Sequence, residues 1–295
     1  MKTALLVCAV GLFGWNVAQA DLSERDQAMA LSKAGDQKGA IAVFVKMAAG
    51  TKNETNKSEC LLEAARCAVK MKDFPVATEL AGQIPSVPYA TFCTMEILRG
   101  KAQREQLVAV TEKEDFSAWP EKLIYPALLI RGEAYLSLGR TAEAEADFAE
   151  AAEQTMSLQQ KGRAMLYQAE VMARQGKSPE ELLAFYGRIM ELVPKGGGIL
   201  PRARLARARL FAGAGQEKLA IDEIVAVETL GGKEPYWIAA TNLAYGEVFE
   251  AAGKPSDAAG RYQNVITFAD SPEEIKVQAQ ERLEKLQASQ KTISK

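Results

Sequence analysis

The stretch from Gly132 to Ala152, GEAYLSLGRTAEAEADFAEAA, decides how the rest of the chain is read. Gly132 and Tyr135 stand three apart, Gly139 interrupts, and Ala144, Phe148 and Ala151 resume at helical spacing. That order predicts two antiparallel helices around a turn. Small Gly132 and Ala144 sit where two helix axes must approach closely, Tyr135 and Phe148 fill the wedge between them, and Ala151 admits the next helix. One such pair cannot bury its own apolar face, so neighbours must stack on it and the pattern must recur.

It recurs in Tyr245, Gly246, Phe249, Gly253, Ala258, Tyr262 and Val265, and in Ala208, Phe211, Gly215, Ala220, Ile224 and Val227. Toward the front, Ala28, Leu31, Gly35, Ala40, Phe44 and Met47 match, and Ala65, Ala68, Phe74, Ala77 and Ile84 match more loosely. Two copies are degenerate: Ala169 to Pro194 needs an extra residue in its turn, and Pro88 to Val110 is placed mainly by its position in the series. The copies recur roughly every 36 to 39 residues, with one shorter step.

Over nearly the whole chain past residue 20, this pattern resembles the tetratricopeptide repeat family, whose small residue, aromatic, turn glycine, Ala, aromatic and Ala are met in order by three copies. The Trp that opens many family repeats is missing, and Arg131 and Arg207 stand where the family usually has Leu, so these side chains must snorkel or find carboxylates. The last copy and its tail, GEVFEAAGKPSDAAGRYQNVITFADSPEEIKVQAQERL, are similar to repeats of bacterial periplasmic proteins of outer-membrane assembly and of the Tol and Pal system. The resemblance implies an all-α, right-handed superhelical solenoid of about seven helix pairs with a C-terminal capping helix, and no strand signal competes with it.

The first twenty residues read as a secretory signal. Lys2 gives a positive start, Ala4 to Val17 is apolar but too short to span a bilayer comfortably, and Ala18-Gln19-Ala20 is a small-x-small cleavage site. The mature chain is expected to begin at Asp21, to be periplasmic or secreted, and to keep no membrane span. Cys8 lies too early for a lipid-attachment cysteine. The expected organisation is signal 1–20, repeats 21–110, an irregular link 111–124, repeats 125–270, a capping helix 271–289 and a loose tail 290–295. In the link, Glu112, Glu114, Asp115, Phe116 and Trp119 form either a ligand-facing excursion or a connector with two aromatics tucked onto the helices. Ser178-Pro179-Glu180-Glu181 and Ser271-Pro272-Glu273-Glu274 both read as capping boxes that open helices.

Composition narrows the function. Histidine is absent, which removes the commonest general base, proton shuttle and metal ligand together. The net charge of −2 favours no nucleic acid. The glycine clusters Lys195-Gly196-Gly197-Gly198 and Gly231-Gly232-Lys233 each follow the second helix of a pair, not a strand, so they are linkers and not phosphate loops. Without histidine or a Gly-x-Ser-x-Gly elbow, a nucleophile lacks a base. No catalytic residue, cofactor or metal is indicated. Cys60 and Cys67 are two helical turns apart, about 10 Å by helix rise, too far to bond; either Cys93 meets one of them, or all three are small buried side chains.

The expected function is therefore a non-catalytic exported scaffold that binds a protein or peptide. The alternatives are an accessory helical subunit of an envelope hydrolase complex, or an all-helical enzyme. Counting from each small residue, the expected concave groove carries Leu62, Leu129, Leu166, Leu205 and Leu243 one turn earlier, and Arg66, Glu133, Glu170, Arg209 and Glu247 one residue later. An apolar row beside alternating charges suits an extended or helical peptide, although a register slip of one would make the leucines packing residues instead. The segment Pro201 to Leu210, PRARLARARL, adds Arg202 on the face of Arg209 and sets Arg204 and Arg207 opposite. These arginines either pair with carboxylates such as Glu170, Glu191 or Glu247 or recognise an anion.

Overall fold

The computed structural model describes residues 24–293; the signal segment 1–20 and the last two residues of the expected tail lie outside them. Among the described residues there is no strand, and the helices alternate in antiparallel pairs. Helix α1 spans 24–33 and pairs with α2, Gln37–Gly50. Then come α3 Glu54–Lys70 with α4 Phe74–Ala81, α5 Val87–Gly100 with α6 Arg104–Thr111, and, after a 3-10 turn at Phe116–Ala118, α7 Glu121–Ser137 with α8 Thr141–Glu153. The chain divides into two compact units after Gln154. The second holds α9 Leu158–Arg174 with α10 Pro179–Leu192, α11 Ile199–Gly213 with α12 Glu217–Gly231, α13 Pro235–Ala251 with α14 Pro255–Thr267, and the closing helix α15, Glu273–Ile293. Since no breaker follows Ser289, α15 runs four residues past the stop expected for the capping helix.

Within each unit the first helices of successive pairs touch: α3 meets α5 and α5 meets α7, while α9 meets α11, α11 meets α13 and α13 meets α15. The small residues read from the sequence sit at these approaches. Ala28, Ala40, Ala65, Ala77, Ala144, Ala151, Ala208, Ala220 and Ala258 are all fully buried. A Cβ on Gly132 would lie 2.6 Å from Phe148 Cε1, and one on Gly246 would enter the Tyr262 ring. Glycine at the first position therefore makes room for the aromatic of the second helix. Where the second-helix residue is Ile224, alanine at 208 suffices.

The turns inside the pairs use left-handed backbone. Gly35, Gly139, Gly176, Gly215 and Gly253 hold it at no steric cost. In the second and third pairs the same conformation falls on Lys72 (φ 60°) and Ala102 (φ 56°), which is why these copies read so faintly in the sequence. Side-chain caps start several helices, among them Asp36 to Gly39 N–H, Asn53 to Asn56 N–H and Asp73 to Val76 N–H. Ser178 and Glu181 form the full capping box. Its twin does not form. Helix α15 begins at Glu273, so Pro272 holds the cap position, and Ser271, one step outside it, keeps a buried hydroxyl without a partner among the described residues.

The link between α6 and α7 is fastened by Arg131. Its Nε and Nη2 donate to the two oxygens of Asp147 at 2.9 and 2.8 Å, and its Nη1 donates to the carbonyls of Thr111 and Glu114 at 2.9 and 3.3 Å. Phe116 lies under the guanidinium at 4.2 Å and meets Trp119 edge-on, both rings buried. The two aromatics are thus tucked onto the helices. Cys60, Cys67 and Cys93 are buried, and no disulfide joins them among the described residues.

Candidate functional site

The leucine row expected to line a groove is core. Leu62, Leu129, Leu205 and Leu243 are buried and Leu166 is half-buried against the cluster around Ala169. The position one turn before the small residue faces the next first helix, so its side chain is consumed by packing. Of the two roles left open for these leucines in the sequence, packing is the one that their burial fits.

The charged row does lie on the surface, and its members hold one another. Arg66 of α3 donates to Glu96 of α5 at 2.8 Å and to Glu63 at 2.6 Å. Arg99 of α5 reaches Glu133 of α7 at 3.9 Å. In the second unit, Arg209 of α11 donates to Glu247 of α13 at 2.7 Å, and Arg282 of α15 reaches the same carboxylate at 3.4 Å. Among the described residues Glu170 pairs within its own helix, with Arg174 at 2.8 Å. Desolvation pushes the Glu96 carboxyl up, with Arg66 opposing. Charges here staple α3 to α5, α5 to α7, α11 to α13 and α13 to α15, which uses most of the groups expected to set a ligand's register.

In the second unit this face has an opening. Helices α11 and α13 and the first turns of α15 enclose a cavity of about 330 Å³, with Arg202, Leu205, Arg209 and Leu243 from the sequence reading in its wall. The structure adds Tyr236, Trp237 and Ala240 from α13 and Glu274, Ile275 and Gln278 from α15. Leu205, Leu243 and Trp237 form the buried floor. Arg202 is exposed, lies 6.0 Å from the centre of the Tyr236 ring and has no carboxylate partner among the described residues. Tyr236 in turn sits edge-on to Trp237 at 4.8 Å. The adjacent pair Tyr236-Trp237, directly after Pro235 at a helix start, was the sequence signal that could have found this wall. Chemically the cavity offers a free guanidinium, a phenol and a carboxylate over an apolar floor, which suits recognition of a side chain rather than bond making.

The other arginines divide as their helical phase requires. Arg204 and Arg207 leave the cavity and share Glu223 of α12, while Glu191 holds neither of them among the described residues. Among the described residues no helix is long and apolar enough to cross a membrane.

No protein-family model and no curated protein sequence matches the chain. Solved structures do. A tetratricopeptide repeat protein from Parabacteroides merdae is similar at 16% identity and a TM-score of 0.57, over 91% of this chain and 99% of that one. PilF of Pseudomonas aeruginosa is similar at 13% identity and a TM-score of 0.52, over 81% and 100%. A Rap protein complexed with competence and sporulation factor is similar at 17% identity and a TM-score of 0.53, over 88% and 75%. At these identities the likeness is one of fold, and with the paired helices, buried small residues and turn glycines above, it establishes that the chain carries the tetratricopeptide repeat fold.

Proposed function

We propose that the chain is an exported, non-catalytic scaffold that binds a segment of a protein partner in the cavity between α11, α13 and α15. Export rests on Lys2, the apolar run and Ala18-Gln19-Ala20, and places the protein in the periplasm or outside the cell. The non-catalytic reading rests on the missing histidine and on a cavity whose groups do not form a nucleophile and base. The observation that carries the proposal is Arg202: of the two arginines in the cavity wall, Arg209 is held by Glu247, whereas Arg202 has no carboxylate partner among the described residues and keeps its donors for a ligand. Its guanidinium would fix an acidic or carbonyl-rich segment, while Trp237, Leu205 and Leu243 take an apolar side chain.

The test is site-specific photo-crosslinking in the native host. A benzoylphenylalanine at Gln278, in the cavity wall, is expected to trap a discrete protein; one at Gln263, exposed on α14 outside it, is not. Crosslinks of equal yield from both positions, or none from Gln278, would overturn the placement. N-terminal sequencing of exported material that began anywhere but near Asp21 would overturn the export reading.

A further inference from the structure

The first unit provides an internal standard for the second. Arg131 and Asp147 form a one-to-one pair in which both carboxylate oxygens and every guanidinium nitrogen are used. Arg207 and Glu223 occupy the same two places in the α11–α12 pair. One helical turn earlier, however, where α7 has the fully buried Leu128, α11 has Arg204. The second arginine claims the same carboxylate: Arg204 Nη1 donates to Glu223 Oε2 at 2.6 Å and Arg207 Nη1 reaches Oε1 at 3.2 Å.

Two guanidinium groups therefore share one carboxylate that is 8% exposed, and neither has a second carboxylate partner among the described residues. Their donors are underused as well. The other contact of Arg207 Nη1 is the thioether sulfur of Met190 at 3.2 Å, a weak acceptor. The Nε atoms of both arginines are buried with no partner, and neither Nη2 has an acceptor among the described residues. Yet 27% of the Arg204 side chain and 24% of the Arg207 side chain remain open to solvent. A half-buried cation excess with unmet donors and an open edge is a site for an anion.

We propose that Arg204 and Arg207 bind an oxyanion of the phosphate class, with Glu223 holding the two guanidinium groups in place. A planar carboxylate matches one guanidinium fork, whereas a tetrahedral phosphate presents three oxygens and bridges two forks rooted a turn apart. The site is separate from the cavity of Arg202 and does not depend on the reading given to it.

The experiment is thermal denaturation and calorimetric titration of the full chain in chloride buffer at constant ionic strength, with three probes: inorganic phosphate, acetate, and vesicles carrying phosphatidic acid against phosphatidylcholine alone. Phosphate is expected to raise the melting temperature and acetate to leave it unchanged. Binding to the phosphatidic acid vesicles without binding to inorganic phosphate upholds the site and assigns its source to a lipid headgroup. Arg204→Leu recreates the arrangement around Arg131 and is expected to fold, by circular dichroism, and to bind at least about tenfold more weakly, the factor carried by one charge-assisted hydrogen bond. Arg204→Gln gives the same loss should the leucine variant fail to fold, and Lys285→Gln, at an exposed position on α15, keeps full binding. An equal response to acetate, no response to phosphate or to the vesicles, or undiminished binding by the Arg204 variants would overturn the proposal.

Discussion

Replacing Arg131 by leucine, the residue the repeat pattern calls for, is expected to destabilise the first unit, although it exchanges a buried charge for an apolar side chain. The Asp147 side chain is 6% exposed and accepts both of its ionic hydrogen bonds from Arg131. Desolvation already pushes its carboxyl up against the pull of that guanidinium. Removing the cation strands a buried carboxylate, which costs about 3–5 kcal/mol. Replacing both members, Arg131→Leu with Asp147→Leu, removes the charge along with its partner. The remaining loss is then the donor to the Thr111 and Glu114 carbonyls, about 1 kcal/mol each. The double variant should therefore be more stable than the single one, with a net cost under about 2 kcal/mol. Urea denaturation followed by Trp119 fluorescence reads this unit in a chain that starts at Asp21 and carries Trp237→Phe, since Trp119 is then its sole tryptophan. A single variant that costs less than about 1 kcal/mol, or a double variant less stable than the single, would refute the argument that the pair is held by mutual need.

Three further outcomes follow from the packing. Ala102→Gly and Lys72→Gly should each stabilise the chain by about 0.5–1 kcal/mol in the same urea titration, because glycine holds the left-handed turn without a Cβ penalty; a loss of stability would contradict the turn geometry. Gly132→Ala should cost about 1–3 kcal/mol, since its Cβ meets the buried Phe148 ring, and Phe148→Leu in the same chain should recover part of that cost. Burial, with Glu96 nearby, pushes the Cys93 thiol up to about 12. In a variant that keeps Cys93 alone, a thiol reagent at pH 8 should therefore react only after denaturant is added, and rapid native labelling would show the site to be open.

The sequence exposed the pairs whose contacts are made by unlike sizes. Glycine against Phe148 and glycine against Tyr262 leave a pattern of small and aromatic residues that survives without any alignment. It concealed the pairs whose turns do not use glycine, because Lys72 and Ala102 adopt the turn backbone without announcing it. The start of α7 was hidden for a related reason: Pro126 lies inside the helix, five residues after its first residue Glu121, where a proline normally marks a boundary. The site was legible only in part. Helical phase placed Arg202 and Arg209 on one face correctly, but whether a leucine one turn before the small residue meets solvent or a neighbour depends on how closely the next first helix approaches, and that distance is set by residues from another pair. The cavity's far wall comes from α15, which follows no repeat pattern, so Glu274, read only as a helix cap, and Gln278 gave no signal of a binding site.

The central claim is that the cavity of Arg202 takes the partner while the leucine row only supports it. The most direct measurement is the affinity of the partner trapped from Gln278 for two variants, each with its melting temperature. Arg202→Glu reverses an exposed charge without a partner among the described residues; it should leave the melting temperature within about 2 °C, as surface changes do, while weakening binding at least about tenfold. Leu205→Ser, in the buried floor, should lower the melting temperature. Full binding by a folded Arg202→Glu variant would contradict the account.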